Sequence, residues 1–125
     1  MRHLIAQLDL PVPPSVNGIW RVARGRVIKS ANYRKWLVEA TIAEAQQGAK
    51  PKKPPEKKVK ILIEVIPGKG FRPDRDLDNV PKPIMDFLVQ SGYLIDDSCK
   101  FIREITVRLI EEPAQNGYVT VSIIG

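Results

Sequence analysis

Residues 59–88, VKILIEVIPGKGFRPDRDLDNVPKPIMDFL, decide how this chain folds. The opening VKILIEVIP, residues 59–67, is a nearly unbroken apolar run rich in β-branched residues, which predicts a well-buried central strand. GKGFRPDRD, residues 68–76, is too polar and too rich in Gly and Pro for a regular element and reads as an irregular basic loop. A helix is predicted over Val80–Ser91, with Val80, Ile84, Phe87 and Leu88 inward and Gly92 as its stop signal. Pro81 and Pro83 fit only a first turn, where a missing N–H breaks no helical hydrogen bond.

The flanking segments extend this strand–loop–helix unit on both sides. Downstream, FIREITVRLI (101–110) alternates as a strand, and a turn at Gln115-Asn116-Gly117 into YVTVSII suggests a closing hairpin. Upstream, HLIAQLDL (3–10) reads as a strand stopped by Pro11, Pro13 and Pro14. A hairpin around Arg24-Gly25 is expected over residues 19–29. Ser30 is a suitable N-cap for a helix ANYRKWLVEATIAEAQQ that Gly48 terminates. Tyr33, Trp36, Leu37, Ala40 and Ala43 mark its buried face, and core packing is the expected place of Trp36. The Lys- and Pro-rich AKPKKPPEKK (49–58) reads as a solvated, semi-stiff loop. The order β, ββ, α, β, α, β, β implies one α+β domain spanning 1–125, with two main helices on a mixed sheet.

Composition narrows the chemistry. The 125 residues suffice for one core, and 43% hydrophobic with 27% charged residues is ordinary for a globular protein. Twenty Lys and Arg against 14 Asp and Glu give +6, which favours polyanionic partners. Cys99 and His3 are the only residues of their types, so internal disulfides and Cys-based zinc sites are excluded. A His-dependent triad would rest on a residue beside the start methionine; His3 reads instead as an ordinary strand or surface residue. The N-terminal stretch lacks the apolar run of a signal peptide or membrane span, so a cytoplasmic protein is expected.

Within this basic chain the acids are concentrated. Asp76-Leu77-Asp78-Asn79 lies between the central strand and the second helix, and carboxylates at i and i+2 of an extended chain point the same way. Asp96-Asp97 precedes the next strand, so the intervening helix is expected to bring the two acidic pairs together. Clustered carboxylates repel, and a divalent cation removes that repulsion. An all-oxygen ligand set selects a hard ion, Mg²⁺ or Mn²⁺, held by Asp76, Asp78 and Asp97. Lys82 is then placed to offset charge on a reacting phosphate. Asp86, four residues on, reads as its surface partner. A purely structural alternative stands beside this: Asp-Leu-Asp-Asn as a helix cap and Asp96-Asp97 as a turn.

Taken together, LPVPPSVNGIWRVARGRVIKSANYRKW (10–36), RPDRDLDNVPKPIMDFL (72–88) and GYLIDDS (92–98) resemble the RusA family of Holliday-junction resolvases, small endodeoxyribonucleases often encoded by phages and prophages. The resemblance runs nearly end to end, and the ordered combination of motifs is specific. It implies that Asp76, Asp78 and Asp97 match the family's metal-binding carboxylates and Lys82 its catalytic lysine, with Asp96 a supporting acid. It also implies a homodimer using Mg²⁺ to place paired symmetric nicks in four-way or branched DNA. A C₂ dimer suits two strands of like polarity, since one chain holds one carboxylate cluster; Trp20 is a candidate for that interface. From Arg21 to Lys35 the chain carries six cations and no acid. Lys69, Arg72, Arg75, Arg24 and Arg26 are the expected DNA contacts. The competing reading is a non-catalytic basic protein that binds junction or duplex DNA. Other Asp-x-Asp enzymes fit less well: Arg-Pro-Asp-Arg, not an apolar strand, directly precedes the pair, and 125 residues are few for a nucleotide-sugar fold.

Overall fold

In the computed structural model the described residues are 3–15, 20–23, 26–112 and 115–125; for 20–23 and 26–29 the description covers the backbone alone. The strand expected at the centre, β4 (Val59–Ile66), lies between two partners of opposite direction. On one side β5 (Ile102–Leu109) runs parallel to it, with Ile63 opposite Val107. On the other, β6 (Tyr118–Ile124) runs antiparallel, with Ile63 opposite Val121. β1 (Leu4–Leu10) pairs antiparallel with the far edge of β6, giving the order β1-β6-β4-β5. A separate antiparallel hairpin joins β2 (Trp20–Ala23) and β3 (Arg26–Lys29). Its predicted Arg24-Gly25 turn lies outside the described residues, as does the Val16–Gly18 part of the Pro-Pro-Ser segment.

The register puts Leu8, Val121 and Ile63 side by side on one face, along with Leu10, Val119 and Val65. Two helices cover that face: α1 (Ala31–Gln47) and α2 (Pro81–Gln90). α1 starts where Ser30 Oγ accepts a hydrogen bond from the Tyr33 amide at 3.2 Å, and it ends at Gly48 in the left-handed conformation, φ 61°. It buries Tyr33, Trp36 and Ala40, with Leu37 partly covered. α2 buries Pro83, Ile84, Met85, Phe87 and Leu88. Tyr33, Trp36, Ala40, Ile84, Met85, Phe87 and Leu88 belong to the core that contains the sheet residues, and Leu37 packs against it. The two helices meet where the Trp36 indole stands edge-on to Phe87, ring centres 5.8 Å apart, while its N–H donates to the Pro11 carbonyl at 2.8 Å. Tyr93, wholly buried, donates from its hydroxyl to Glu44 at 2.8 Å and ties the segment after α2 to α1. Burial, reinforced by Glu44, pushes the Tyr93 phenol well above its ordinary range.

Gln47 fixes α1 to β1 with two 2.7 Å bonds, accepting from the Asp9 amide and donating to the Asp9 carbonyl. The opposite sheet face is more polar, with Gln7, Thr120 and a Glu64–Arg108 pair at 3.9 Å. Among the described residues no helix is long and apolar enough to cross a membrane.

The predicted closing hairpin is corrected by this topology. β5 and β6 follow one another in sequence but do not pair; β6 inserts between β1 and β4. Burial explains the order: Val119, Val121, Ser122 and Ile123 are all buried in β6, whereas Ile102 is the one fully buried residue of β5. The strand covered on both faces and both edges takes the interior, and the half-exposed strand takes the rim.

The chain leaving β4 passes hard against the chain entering β6. A Cβ on Gly68 would lie 2.1 Å from the Gly117 nitrogen and 2.8 Å from the Asn116 carbonyl carbon, all backbone. Gly68→Ala is therefore expected to destabilise the fold by about 1–3 kcal/mol through overpacking. Urea unfolding would read this as a lowered midpoint at unchanged m value; an unchanged midpoint would show that the two turns separate freely.

Candidate active site

The loop that leaves β4 is a succession of tight turns. Phe71 N–H donates to Gly68 O and Arg75 N–H to Arg72 O, both at 3.1 Å. Asn79 N–H then reaches Asp76 O at 3.3 Å, and Val80 N–H reaches Leu77 O at 3.1 Å, closing a 3-10 turn over Leu77–Asn79. The expectation of an extended Asp-Leu-Asp is corrected here. Asp76 alone is extended, at φ −77° and ψ 130°, and Asp78 sits inside the turn. Leu77 packs against the core and Val80 is fully buried, so these apolar residues set the turn while both carboxylates stay exposed. Pro81 follows at the start of α2, the position where its lost N–H costs least.

Lys82 joins the parts of the site. Its Nζ lies 3.0 Å from Asp86 Oδ1, one turn along α2, and 3.7 Å from Asp97 Oδ2 in the segment before β5. The hydrogen bond that it donates to Asp86 holds the ammonium above the ordinary lysine range, against a smaller opposing effect of burial, and Asp97 adds to it. Tyr33 of α1 belongs to the same neighbourhood: burial chiefly raises its phenol, the Asp86 charge raises it further, and Lys82 works the other way. The sequence pattern marked Tyr33 only as a core residue and Asp86 as a surface partner. The available signal was a hydroxyl-tipped aromatic on an apolar helix face, which requires a polar neighbour for its OH.

Of the four predicted acids, Asp97 is the one that reaches Lys82, while Asp76 and Asp78 lie at the turn just before the helix that carries it. Among the described residues no three His, Cys, Asp or Glu side chains form a group able to hold a metal ion as they stand. Asp97 is turned toward Lys82, while the side chains of Asp76, Asp78 and Asp96 have no hydrogen-bond or ion-pair partner among the described residues. Three free, exposed carboxylates beside a half-buried fourth are all-oxygen donors, and their chemistry fits a hard divalent cation.

The basic residues separate into two kinds. Lys69 and Arg72 are exposed, Arg72 with a 3.2 Å bond to Asp74. Arg75 is half-buried, its guanidinium carbon 5.9 Å from the centre of the Phe71 ring. Its Nε and Nη2 are shut off from solvent and have no hydrogen-bond partner, and burial lowers its pKa from the ordinary arginine value. Beside it opens a cleft of about 700 Å³, walled by Val12, Ser15, Phe71, Arg75, Asp76 and Asn79. Arg24 lies outside the described residues; Arg26, like the interface candidate Trp20, is described through its backbone alone, in β3 and β2 respectively.

If Asp86 is what holds Lys82, the Asp86→Asn variant in EDTA should titrate Lys82 at a lower pH than the wild type. Asp97→Asn should lower it less, because Asp86 is the larger influence. Nitrogen-detected NMR of the Lys82 ammonium measures both; an unmoved midpoint in Asp86→Asn would remove Asp86 from the site.

No curated protein sequence matches the chain. A family model does: that of endodeoxyribonuclease RusA matches residues 10–124, from the last residue of β1 through the last of β6. The chain belongs to the RusA family of junction-resolving endodeoxyribonucleases.

Proposed function

We propose that this protein resolves four-way or branched DNA by paired symmetric nicks, as a homodimer in the cytoplasm, using Mg²⁺ or Mn²⁺. The observation that carries the reading is Lys82, held charged by Asp86 at the edge of the Asp76–Asp78 turn and beside Asp97. Asp76, Asp78 and Asp97 would hold the cation. When bound, the ion supplies an activated water and offsets charge on the scissile phosphate. Lys82 adds a second positive charge as negative charge builds on the phosphoryl oxygens. Asp86 keeps that ammonium protonated and aimed, and Asp96 supports the ligand set. Lys69, Arg72 and Arg75 bind the backbone on one side of the turn, and Arg24 and Arg26 are further DNA contacts that the sequence suggests. Two chains related by a two-fold axis supply one site for each of the two strands cut.

The separation of the carboxylates favours one competing reading, a junction-binding protein without chemistry. A junction-cleavage assay with Mg²⁺ and with EDTA, beside a matched linear duplex, decides between them. Wild type should give paired nicks with Mg²⁺ alone. Asp78→Asn should bind the junction without cutting, and Lys82→Ala should cut about 10²–10³-fold more slowly. Binding without nicks under every divalent ion tried would establish the non-catalytic protein. Sedimentation at assay concentration should show a dimer.

Arg72→Ala should weaken junction binding and lower the slope of log K against log salt by about one. An unchanged slope would mean that Arg72 serves its Asp74 pair and not the phosphates.

A further inference from the structure

Apart from Asp76 at its rim, the lining of the cleft beside the 3-10 turn has no role in the chemistry proposed for the carboxylates and Lys82. We propose that it receives a single nucleotide drawn out of the base stack at the branch point, with the base against Phe71 and its phosphate among Lys69, Arg72 and Arg75. The identity of the DNA rests on the nuclease reading; occupancy of the cleft does not depend on cleavage.

The volume, about 700 Å³, falls in the range of pockets that enclose small ligands. It suits one nucleotide and excludes a duplex. Phe71 offers a flat apolar ring backed by the Arg75 guanidinium at 5.9 Å, and aromatic rings with guanidinium planes are the surfaces on which unstacked bases settle without regard to sequence. Lys69 and Arg72 bring two more positive charges to the same wall; of the two acids that line it, Asp74 is engaged by Arg72, and Asp76 stands at the acidic turn.

Arg75 makes the case specific. Its Nε and Nη2 carry the side-on pair of donors, the edge that grips a phosphate with two parallel bonds, and both lack an acceptor. A charged donor pair sealed without an acceptor is unstable relative to one that has it. A phosphate entering the cleft supplies that acceptor once the guanidinium turns toward it.

The cleft also exists before any ligand arrives. Its floor is the Gly68–Gly117 contact, too close for any side chain, together with a Lys69 N–H to Gln115 O bond of 3.4 Å. Binding therefore spends little on ordering the protein. Asp76 and Asn79 line the cleft and also bound the acidic turn, so a seated nucleotide leaves its neighbouring phosphodiester at the carboxylates. Extruding a nucleotide costs least where pairing is already interrupted. The cleft thereby favours branched over continuous DNA.

The test uses the full chain in EDTA, titrated separately with dAMP, dTMP and inorganic phosphate and read by amide chemical shifts. Both nucleotides should shift Gly68, Gly70, Phe71 and Gly117 saturably, and phosphate alone should need at least about tenfold higher concentration. Phe71→Ala should weaken nucleotide binding at least about fivefold and leave the phosphate response as it was. Phe71→Leu keeps an apolar side chain without the flat ring, should show the same loss, and covers a failure of the alanine variant to fold. Equal affinity for phosphate and nucleotides, or undiminished nucleotide binding by Phe71→Leu, overturns the proposal. Failure of the nuclease reading would appear separately, as absence of junction nicks with nucleotide binding intact.

Discussion

Because β4 and β5 run parallel, with Ile63 opposite Val107, the chain between them must travel the length of the sheet before it can pair again. That obligatory crossover holds Asp76, Asp78, Lys82, Asp86, Asp96 and Asp97. Its helix is fixed by what it buries: Ile84, Phe87 and Leu88 are each worth about 1.5–3 kcal/mol when removed from water. Lys82 and Asp86, four residues apart, take the opposite side of the same short helix. The direction of the ammonium is thus a by-product of core packing. The 3-10 turn before α2 is held in the same way, by Leu77 and Val80, while Asp76 and Asp78 point outward.

Two cations near the site are in opposite situations. Lys82 has two carboxylates within 4.0 Å and is held charged. Arg75 is partly withdrawn from water, has an aromatic ring beside it, and lacks acceptors for two of its nitrogens. Neither arrangement is there for stability. The Lys82 pairs are too exposed to contribute much to folding, and an unmatched guanidinium opposes it. Both suit the phosphate-rich substrate proposed for the protein.

Most elements were legible in the sequence because their ends are written in single residues. Ser30 and Gly48 bracket α1, Pro81 and Gly92 bracket α2, and the nearly unbroken apolar run of β4 reports its burial directly. The neighbours of a strand are not written that way. The Gln115-Asn116-Gly117 turn looks like the apex of a hairpin, yet hydrophobic pattern records how deeply a strand is covered and not which strand covers it. The acidic residues stand out in the sequence by their spacing around one helix, but among the described residues the structure does not gather three of them into one group able to hold a metal ion. The conversion of Asp78 from an extended position into a 3-10 turn was not legible, since it depends on Leu77 and Val80 finding the core. Nor was the place of Tyr33 beside Asp86, which requires the angle between two helices distant in sequence.

The position of β6 bears on how the molecule is made. β1 precedes the other described strands along the chain, and the one strand it pairs with among the described residues, β6, follows them all. Leu4 meets Ile124, so the sheet cannot close while the ribosome is still reading the final strand. Until then β1 waits with its backbone groups open, beside a β4–β5 unit that lacks its antiparallel neighbour. Contacts of such long sequence separation form slowly, and half-finished chains are the species most exposed to mispairing. Chains lacking residues 118–124 lack the strand that joins β1 to β4.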